Sequence, residues 1–436
     1  LQSEIERDGA VRRFQGTIAY RTVSSREAYD LSPFRGLHTF IRDNWPLLHD
    51  RARCETVAEG SLLFTIPGID PGLPPALLTA HLDVVPVEDE NSVLWKYPPW
   101  SGELADGRIW GRGTVDYKAG VAGMLEACQI LLGSGFSPRR TIILAFGHDE
   151  EVGGVRGSSA IVELLRKRGV VNCSFILDEG GYIFSFPWME RDTAVIGIAE
   201  KGYLTIEILA VGKEGHASRP VHRTPVGLVA EAVSVLEKNG MPIHVCPPVR
   251  TMLERISDCD PVSYAEHISK WPEGNALVRT TTAPTVIDGS LRENMISASS
   301  RALVNFRMPP GQSISDVVGH VSALLENIGV EFSVLDNGSL AEPSGVSSVD
   351  SSVFQTISRS LAGLYPEAIV TPGIFIAATD SRRYEVLSRD VYRILPVRLG
   401  EKGMGMLHSS GESVAVEDYI RCIRFYTEVL ENTCGS

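Results

Sequence analysis

The sequence predicts an α/β fold: a mixed, mostly parallel sheet flanked by helices, with a smaller α+β unit inserted into it. Three observations predict it. Short apolar runs alternate with stretches of helical period up to about residue 200, the signature of strands joined by crossover helices. Near Lys201-Gly202 the character shifts to half-polar strands. From about Glu342 the first pattern returns, so the middle reads as an insertion.

Taken in order, residues 61–66 and 76–80 read as strands. Residues 118–132 place Val121, Met124, Leu125, Cys128, Leu131 and Leu132 at helical spacing and stop at Gly133. Residues 141–146 form an apolar run suited to a buried strand, 158–168 a helix, and 173–177 another buried strand. Within the insertion, 203–211 alternates like a half-exposed strand and 225–238 reads as a helix. Residues 241–277, rich in Pro, Asp and Trp, show no clear period. Strands at 279–287, 301–307 and 330–335 and a helix at 313–327 complete the insert. A helix at 353–364, a strand at 368–371 and a helix at 416–430 restore the α/β pattern. The expected domains are a main unit of 1–200 and 340–436 and an insert of 201–339. Glycines near Lys201-Gly202 and Asn337-Gly338 are the expected hinges between them.

Composition bounds the function. The 436 residues exceed the ~150-residue expectation for one domain. With 43% hydrophobic and 22% charged residues, the chain is globular rather than disordered. Its 41 basic against 54 acidic residues leave a net charge of −13, so no nucleic-acid partner is expected. No run of ~18 apolar residues suggests a membrane span. The first residues lack both a Met and the apolar core of a signal peptide. A cytoplasmic location is expected, with an already removed leader left open. Seven scattered cysteines without a CxxC pair argue against a disulfide framework or thiolate metal site, so any metal falls to His, Asp and Glu.

Those residue types gather where strands end. The run 76–80 leads into His81-Leu82-Asp83, 141–146 into Gly147-His148-Asp149-Glu150-Glu151, and 173–177 into Asp178-Glu179. Gly111-Arg112-Gly113-Thr114-Val115-Asp116 leads into the helix at Lys118. Ligand sites of open α/β sheets lie beyond the carboxyl ends of strands, so these groups converge on one crevice. Clustered carboxylates repel, and a divalent cation is the usual remedy. Imidazole and carboxylate donors suit zinc, with manganese or cobalt as substitutes.

The order and spacing of these motifs over most of the chain resemble the co-catalytic zinc peptidase and aminoacylase family. That family includes carboxypeptidase S, Gly-X carboxypeptidase, N-fatty-acyl-amino acid hydrolases and succinyl-diaminopimelate desuccinylase. The matching segments are His81-Leu-Asp-Val-Val-Pro86, Tyr97-Pro-Pro-Trp-Ser-Gly-Glu103, Trp110-Gly-Arg-Gly-Thr-Val-Asp-Tyr-Lys118 and Phe146-Gly-His-Asp-Glu-Glu-Val-Gly-Gly154. Leu177-Asp-Glu-Gly-Gly181, Gly215-His-Ala-Ser-Arg-Pro220, Asn305-Phe-Arg307, Thr379-Asp-Ser-Arg382 and His408-Ser-Ser-Gly-Glu412 follow.

The resemblance implies a zinc-exopeptidase-like fold whose insert is a lid or dimerisation domain, and it admits a homodimer through that insert. It implies two Zn2+ per chain. His81, Asp116 and Asp178 would hold one, and Asp116, Glu151 and His408 the other. Glu150 would be the general base and proton shuttle, and Asp83 the orienter of His81. In the insert, His216 would meet the oxyanion, Arg307 the substrate carboxylate, and Asn294 would help bind substrate. Glu179 is read as a hydrogen-bonding neighbour. The implied activity is hydrolysis of the amide in a small peptide or N-acyl amino acid with a free carboxylate. The alternatives are a catalytically silent metal-binding homologue and an esterase-type hydrolase on the same metals. Three departures from the family pattern stand out: Tyr117 after Asp116, Asn294-Met-Ile-Ser297, and the absence of an Asn before Glu412.

Overall fold

The computed structural model describes residues 6–26, 30–336, 338–400 and 403–435. They divide into two compact units. One comprises residues up to 198, 347–373 and those from 379 onward; the other comprises 199–346 and 374–378.

The first unit is organised by a mixed sheet. Its strands run in the order Arg53–Val57, Ser61–Ile66, Ile142–Gly147, Ala76–His81, Phe175–Asp178, Val391–Arg393, Thr193–Glu200, Ile183–Phe184 and Arg398–Gly400, with Ile369–Phe375 paired to Thr193–Glu200. The centre is parallel: Ala76–His81 lies between Ile142–Gly147 and Phe175–Asp178, which in turn pairs with Val391–Arg393. The pairings of Arg53–Val57 with Ser61–Ile66 and of Ser61–Ile66 with Ile142–Gly147 are antiparallel. Every residue of Ala76–His81 and Ile142–Gly147 is buried, which explains their unbroken apolar runs. Leu63, Leu77, Ile143 and Ile176 from the strands pack against Ile161, Val162 and Leu165 of the helix Ser158–Lys167. Each such side chain contributes about 1.5–3 kcal/mol by leaving water. The helices Ala119–Gly133 and Val416–Cys434 pack against each other.

Three helices absent from the sequence reading precede the sheet: Arg7–Ile18, Ser32–Asn44 and Pro46–Arg51. In the second unit an antiparallel sheet runs Thr281–Asp288, Ser299–Met308, Gly202–Val211, Glu331–Leu335. Leu204, Ile206, Val304 and Phe306 pack against Leu236 of the helix Pro225–Lys238 and against Val317 and Val321 of Ile314–Leu325. The stretch 241–277, which shows no period in sequence, holds the short helices Pro247–Ile256, Pro261–Ile268 and Pro272–Val278. Each starts on a proline, whose fixed φ and missing N–H suit the first helical position. A Cβ at Gly202 would lie 2.7 Å from the Ala341 carbonyl, so glycine there permits a close backbone approach. Asn337, named with Gly338 as the other hinge, lies outside the described residues.

Candidate metal centre

Three parallel strands end side by side. His81 closes one, Asp178 the next, and Gly147 the third, directly ahead of the turn carrying Glu150 and Glu151. In register, His81 stands opposite Gly147. The sheet thus delivers an imidazole and several carboxylates to one edge.

His81 is fixed from both sides. Its Nδ1 lies 2.9 Å from the Asp83 carbonyl oxygen and 3.4 Å from the Asp83 carboxylate. Both are acceptors, so we assign the hydrogen to Nδ1, and Nε2 faces Asp116 Oδ1 at 3.1 Å and Glu179 Oε1 at 3.5 Å. The ring stacks on Tyr117 at 5.9 Å, and the Tyr117 hydroxyl pairs with that of Tyr426 at 2.9 Å. Asp83 does more than orient the imidazole. Its carboxylate accepts the Ser24 hydroxyl at 2.5 Å and the backbone N–H groups of Glu150 and Glu151, each at 3.1 Å. One buried anion therefore ties the His81 strand end to the Glu150-Glu151 turn.

Asp116 is the hinge of the site. Its Oδ1 faces His81, and its Oδ2 lies 2.9 Å from His408 Nε2. Glu151 Oε2 is 3.4 Å from that same nitrogen. Two donor groups result among the described residues, His81–Asp116–Glu179 and Asp116–Glu151–His408, with the ligand atoms of each within 4.8 Å of one another. Glu151 Oε1 is buried without a hydrogen-bond partner, as expected of an oxygen that awaits a cation. The donor chemistry, two imidazoles and three carboxylates with one carboxylate shared, fits a pair of divalent ions.

The electrostatics are those of crowded anions. Burial alone would depress the His81 imidazole, but Glu179, Asp116 and Asp83 raise it well above the usual histidine range. Hydrogen bonds to Asp116 and Glu151 raise His408 to about 10. Burial works to raise Asp116, yet its bonds to His408 and His81 hold it below the usual carboxylate range. Burial, aided by Asp116 and Asp178, raises Glu179 to about 8 against the pull of His81. Burial and the nearby Glu179 charge push Glu150 well up, and burial with Asp116 raises Glu151.

The two adjacent carboxylates of the third strand end face different neighbours. Asp178, expected to ligate, turns its Oδ2 to the Ser381 backbone N–H at 2.9 Å, and Glu179 takes the place beside His81. Successive side chains leave a strand end on opposite faces, so only one of the two carboxylates can join His81. The sequence held the signal, an acidic pair at a strand end, but not its parity. His81, Asp116, Glu151 and His408 come together, with Asp83 behind them, and Glu150 belongs to neither donor group. His408 sits in the left-handed region at φ 61°, a conformation uncommon for a residue with a Cβ.

The insert residues lie in the second unit. His216 and Asn294 are brought together by a short antiparallel ladder that pairs His216 with Met295, and the Ala217 N–H donates to the Asn294 carbonyl at 3.0 Å. His216 Nδ1 accepts the Ser218 backbone N–H at 3.1 Å, which leaves Nε2 as the protonated nitrogen of the neutral ring. Arg307, on the strand Ser299–Met308, donates from Nε to Asn305 Oδ1 at 3.0 Å and lies over the Tyr203 ring at 4.3 Å.

Fold and site together define a metal-dependent hydrolase built on the carboxyl edge of an α/β sheet. Residues 77–432 match the profile of Peptidase family M20/M25/M40, and the chain belongs to that family. It is 34% identical over 448 residues to an N-fatty-acyl-amino acid synthase/hydrolase of Danio rerio, covering 98% of this chain and 86% of that protein. A probable carboxypeptidase S-like protein of Dictyostelium discoideum is 32% identical over 443 residues, with 97% and 84% covered. The fold matches the crystal structure of an M20 family metallo-carboxypeptidase from Sulfolobus solfataricus with a TM-score of 0.74 at 19% identity, covering 97% of this chain and 98% of that one. No helix among the described residues is long and apolar enough to cross a membrane.

Proposed function

We propose that this enzyme uses two zinc ions to hydrolyse the amide bond of a small peptide or N-acyl amino acid whose amino-acid part keeps a free carboxylate. One observation carries the reading: the two oxygens of Asp116 face two different donor groups, with Glu150 next to Glu151 in the same turn and outside both. His81, Asp116 and Glu179 would hold one ion, and Asp116, Glu151 and His408 the other. When bound, such a pair supplies Lewis acidity, an acidified water and a polarised carbonyl. Glu150 accepts the proton of the attacking water. It then returns that proton to the amide nitrogen as the carbon–nitrogen bond breaks, giving a carboxylic acid and an amine.

His216 would donate from Nε2 to the developing oxyanion, supported by the Ser218 N–H that occupies Nδ1. Arg307, its guanidinium oriented by Asn305 and Tyr203, would clamp the substrate carboxylate. Asn294 would contact the substrate beside His216. The relatives' names support acyl amino acids and peptides as the substrate class. A homodimer through the second unit belongs to the same reading, supported by the outer strand Thr281–Asp288 with Val286 and Ile287 exposed. So does a cytoplasmic location, on the strength of composition alone.

The test is a mass-spectrometric screen of dipeptides and N-acyl amino acids against the zinc-loaded protein, alongside Glu150→Gln. The wild type should release acid and amine. The variant should keep its metal and lose turnover by ~10²–10⁴-fold. Normal turnover in the variant, or no cleavage of any member of the panel by the wild type, would refute the reading.

A further inference from the structure

Two buried charged residues that ligate nothing connect the bridging aspartate to His408. The strand Ser413–Ala415 pairs antiparallel with Arg108–Trp110, with Ser413 opposite Trp110. This register sets Glu412 against the loop after Trp110, where its carbonyl accepts the Gly111 N–H at 3.1 Å. The Glu412 carboxylate is almost completely buried, at 1% exposure for the residue. Its Oε1 accepts the backbone N–H groups of Val115 at 2.8 Å and Asp116 at 3.2 Å. Its Oε2 accepts the Gly113 N–H at 3.0 Å and Arg112 Nη1 at 2.8 Å. Arg112, also buried, donates from Nη2 to the His408 carbonyl at 3.0 Å and from Nη1 to the Ser409 carbonyl at 3.4 Å. The Trp95 ring covers its guanidinium at 5.3 Å.

The chain of contacts is short: Asp116 amide, Glu412 carboxylate, Arg112 guanidinium, His408 carbonyl. His408 needs such a hold, because its backbone is in the left-handed region and its side chain is half exposed. None of these hydrogen bonds reaches His81 or Glu179. Those two lie beside a separate set of supports: Asp83, Ser24 and the Tyr117 ring. Resting on the two-ion reading above, we propose that Arg112 is a positioning residue for one ion of the pair, the one held by Asp116, Glu151 and His408, and that Glu412 anchors both Arg112 and the backbone of the shared Asp116. A bidentate guanidinium is the group that can grip a carboxylate and a carbonyl at once; an ammonium on a lysine stem cannot span both.

The test uses the full chain stripped with a chelator and titrated with Co2+, followed by the visible absorption of the bound ion and by competition with a chelating dye. Wild type should bind two ions. Arg112→Lys, which keeps the charge that Glu412 requires, should weaken one ion ~10–100-fold, the effect typical of removing a group that orients a ligand. Glu412→Gln, which keeps the shape, loosens the shared Asp116 as well and should weaken both ions. In Arg112→Lys the other ion should change by less than about threefold on the same grounds. Activity lost by Arg112→Lys should return at high Co2+, which a distorted fold would not allow. Arg112→Lys also keeps the test open should Glu412→Gln fail to fold. Wild-type saturation at one ion would overturn the two-ion reading itself. Two ions with unchanged affinity in both variants, or equal weakening of both ions in Arg112→Lys, would overturn the positioning role while leaving that reading intact.

Discussion

Glu179→Gln and Asp178→Asn each replace one carboxylate oxygen by an amide nitrogen at adjacent positions, and the two changes should have opposite effects on the metal-free protein. Glu179 is raised from 4.5 to about 8, first by burial and then by Asp116 and Asp178. Between those values the folded chain holds a proton that the unfolded chain has released. Stability of the apoprotein therefore falls as pH rises through that window, by about 1.4 kcal/mol per pH unit. At pH 7 this amounts to at most about 3.5 kcal/mol, which Glu179→Gln should recover in part or whole. Asp178→Asn instead disturbs the acceptor of the Ser381 N–H at 2.9 Å and should cost about 1–3 kcal/mol. With metal the order reverses. If Glu179 ligates as proposed, Glu179→Gln should weaken one ion by more than the ~10–100-fold typical of groups that merely orient a ligand. Asp178→Asn should stay within that range. Urea melts of the chelator-treated variants and zinc competition titrations measure both effects. Loss of an ion from Asp178→Asn with both retained in Glu179→Gln would show that Asp178 ligates and that the geometry drawn here is wrong.

Three further outcomes follow from individual residues. Gly154 has φ 66°, and a Cβ there would overlap the Asp380 carboxylate; Gly154→Ala should cost ~1–3 kcal/mol in urea melts and lower turnover through the adjoining Glu150-Glu151 turn, and a neutral effect on both would contradict this. Arg307→Ala should impair hydrolysis of substrates with a free carboxylate far more than of their carboxamides, and equal losses in paired kinetics would remove the clamp. Burial lowers His38 from 6.5 to about 4, opposed by its contact with the Gly60 carbonyl, so the folded chain binds fewer protons than the unfolded chain within that window. Stability is then lost as pH falls from 6.5 towards 4, and His38→Gln should flatten the measured slope by up to about one proton; identical slopes in variant and wild type would refute the assignment.

What was legible in the sequence follows from physical period. His81 and the Glu150-Glu151 pair could be placed because unbroken apolar runs marked buried strands, and polar groups after such runs can only be at sheet ends. Asp116 and His408 carry no such mark. Glycine-rich loops hold them: Asp116 is marked only by the helix that follows it, and His408 only by the resemblance to known motifs. Between Asp178 and Glu179 the sequence offers no parity, because one residue of uncertainty in where a strand ends exchanges its two faces. The prolines of 241–277 interrupt any long period because they act as helix starters, and Asp260 ahead of Pro261 caps its helix through the Val262 and Ser263 N–H groups. Arg7–Ile18 was missed although Val11, Phe14 and Ile18 recur at helical spacing on its buried side, because its arginines and glycines dilute the apolar signal. The stacking of Tyr117 on His81 had no sequence signal, since it depends on how the backbone turns at Asp116.

The same electrostatics explain why the donor groups stand assembled before any ion arrives. Asp116, Glu151 and Glu179 at these distances would drive one another apart if all were charged and unopposed. In the metal-free chain protons do the opposing: Asp116 and Glu151 hold His408 cationic, and His81, raised well above the usual histidine range, carries a proton between Asp116 and Glu179. Each imidazolium then forms, at 2.9–3.1 Å, a bond to one oxygen of Asp116. Those are the oxygens two cations would take. Ion binding is thus an exchange of protons for metal at nearly fixed geometry, and its affinity must fall with pH as the imidazoles hold their protons more firmly. Supports that carry no ligand atom make the exchange isosteric: Asp83 retains the Nδ1 hydrogen of His81 whichever partner occupies Nε2, and Arg112 grips the His408 carbonyl rather than its ring.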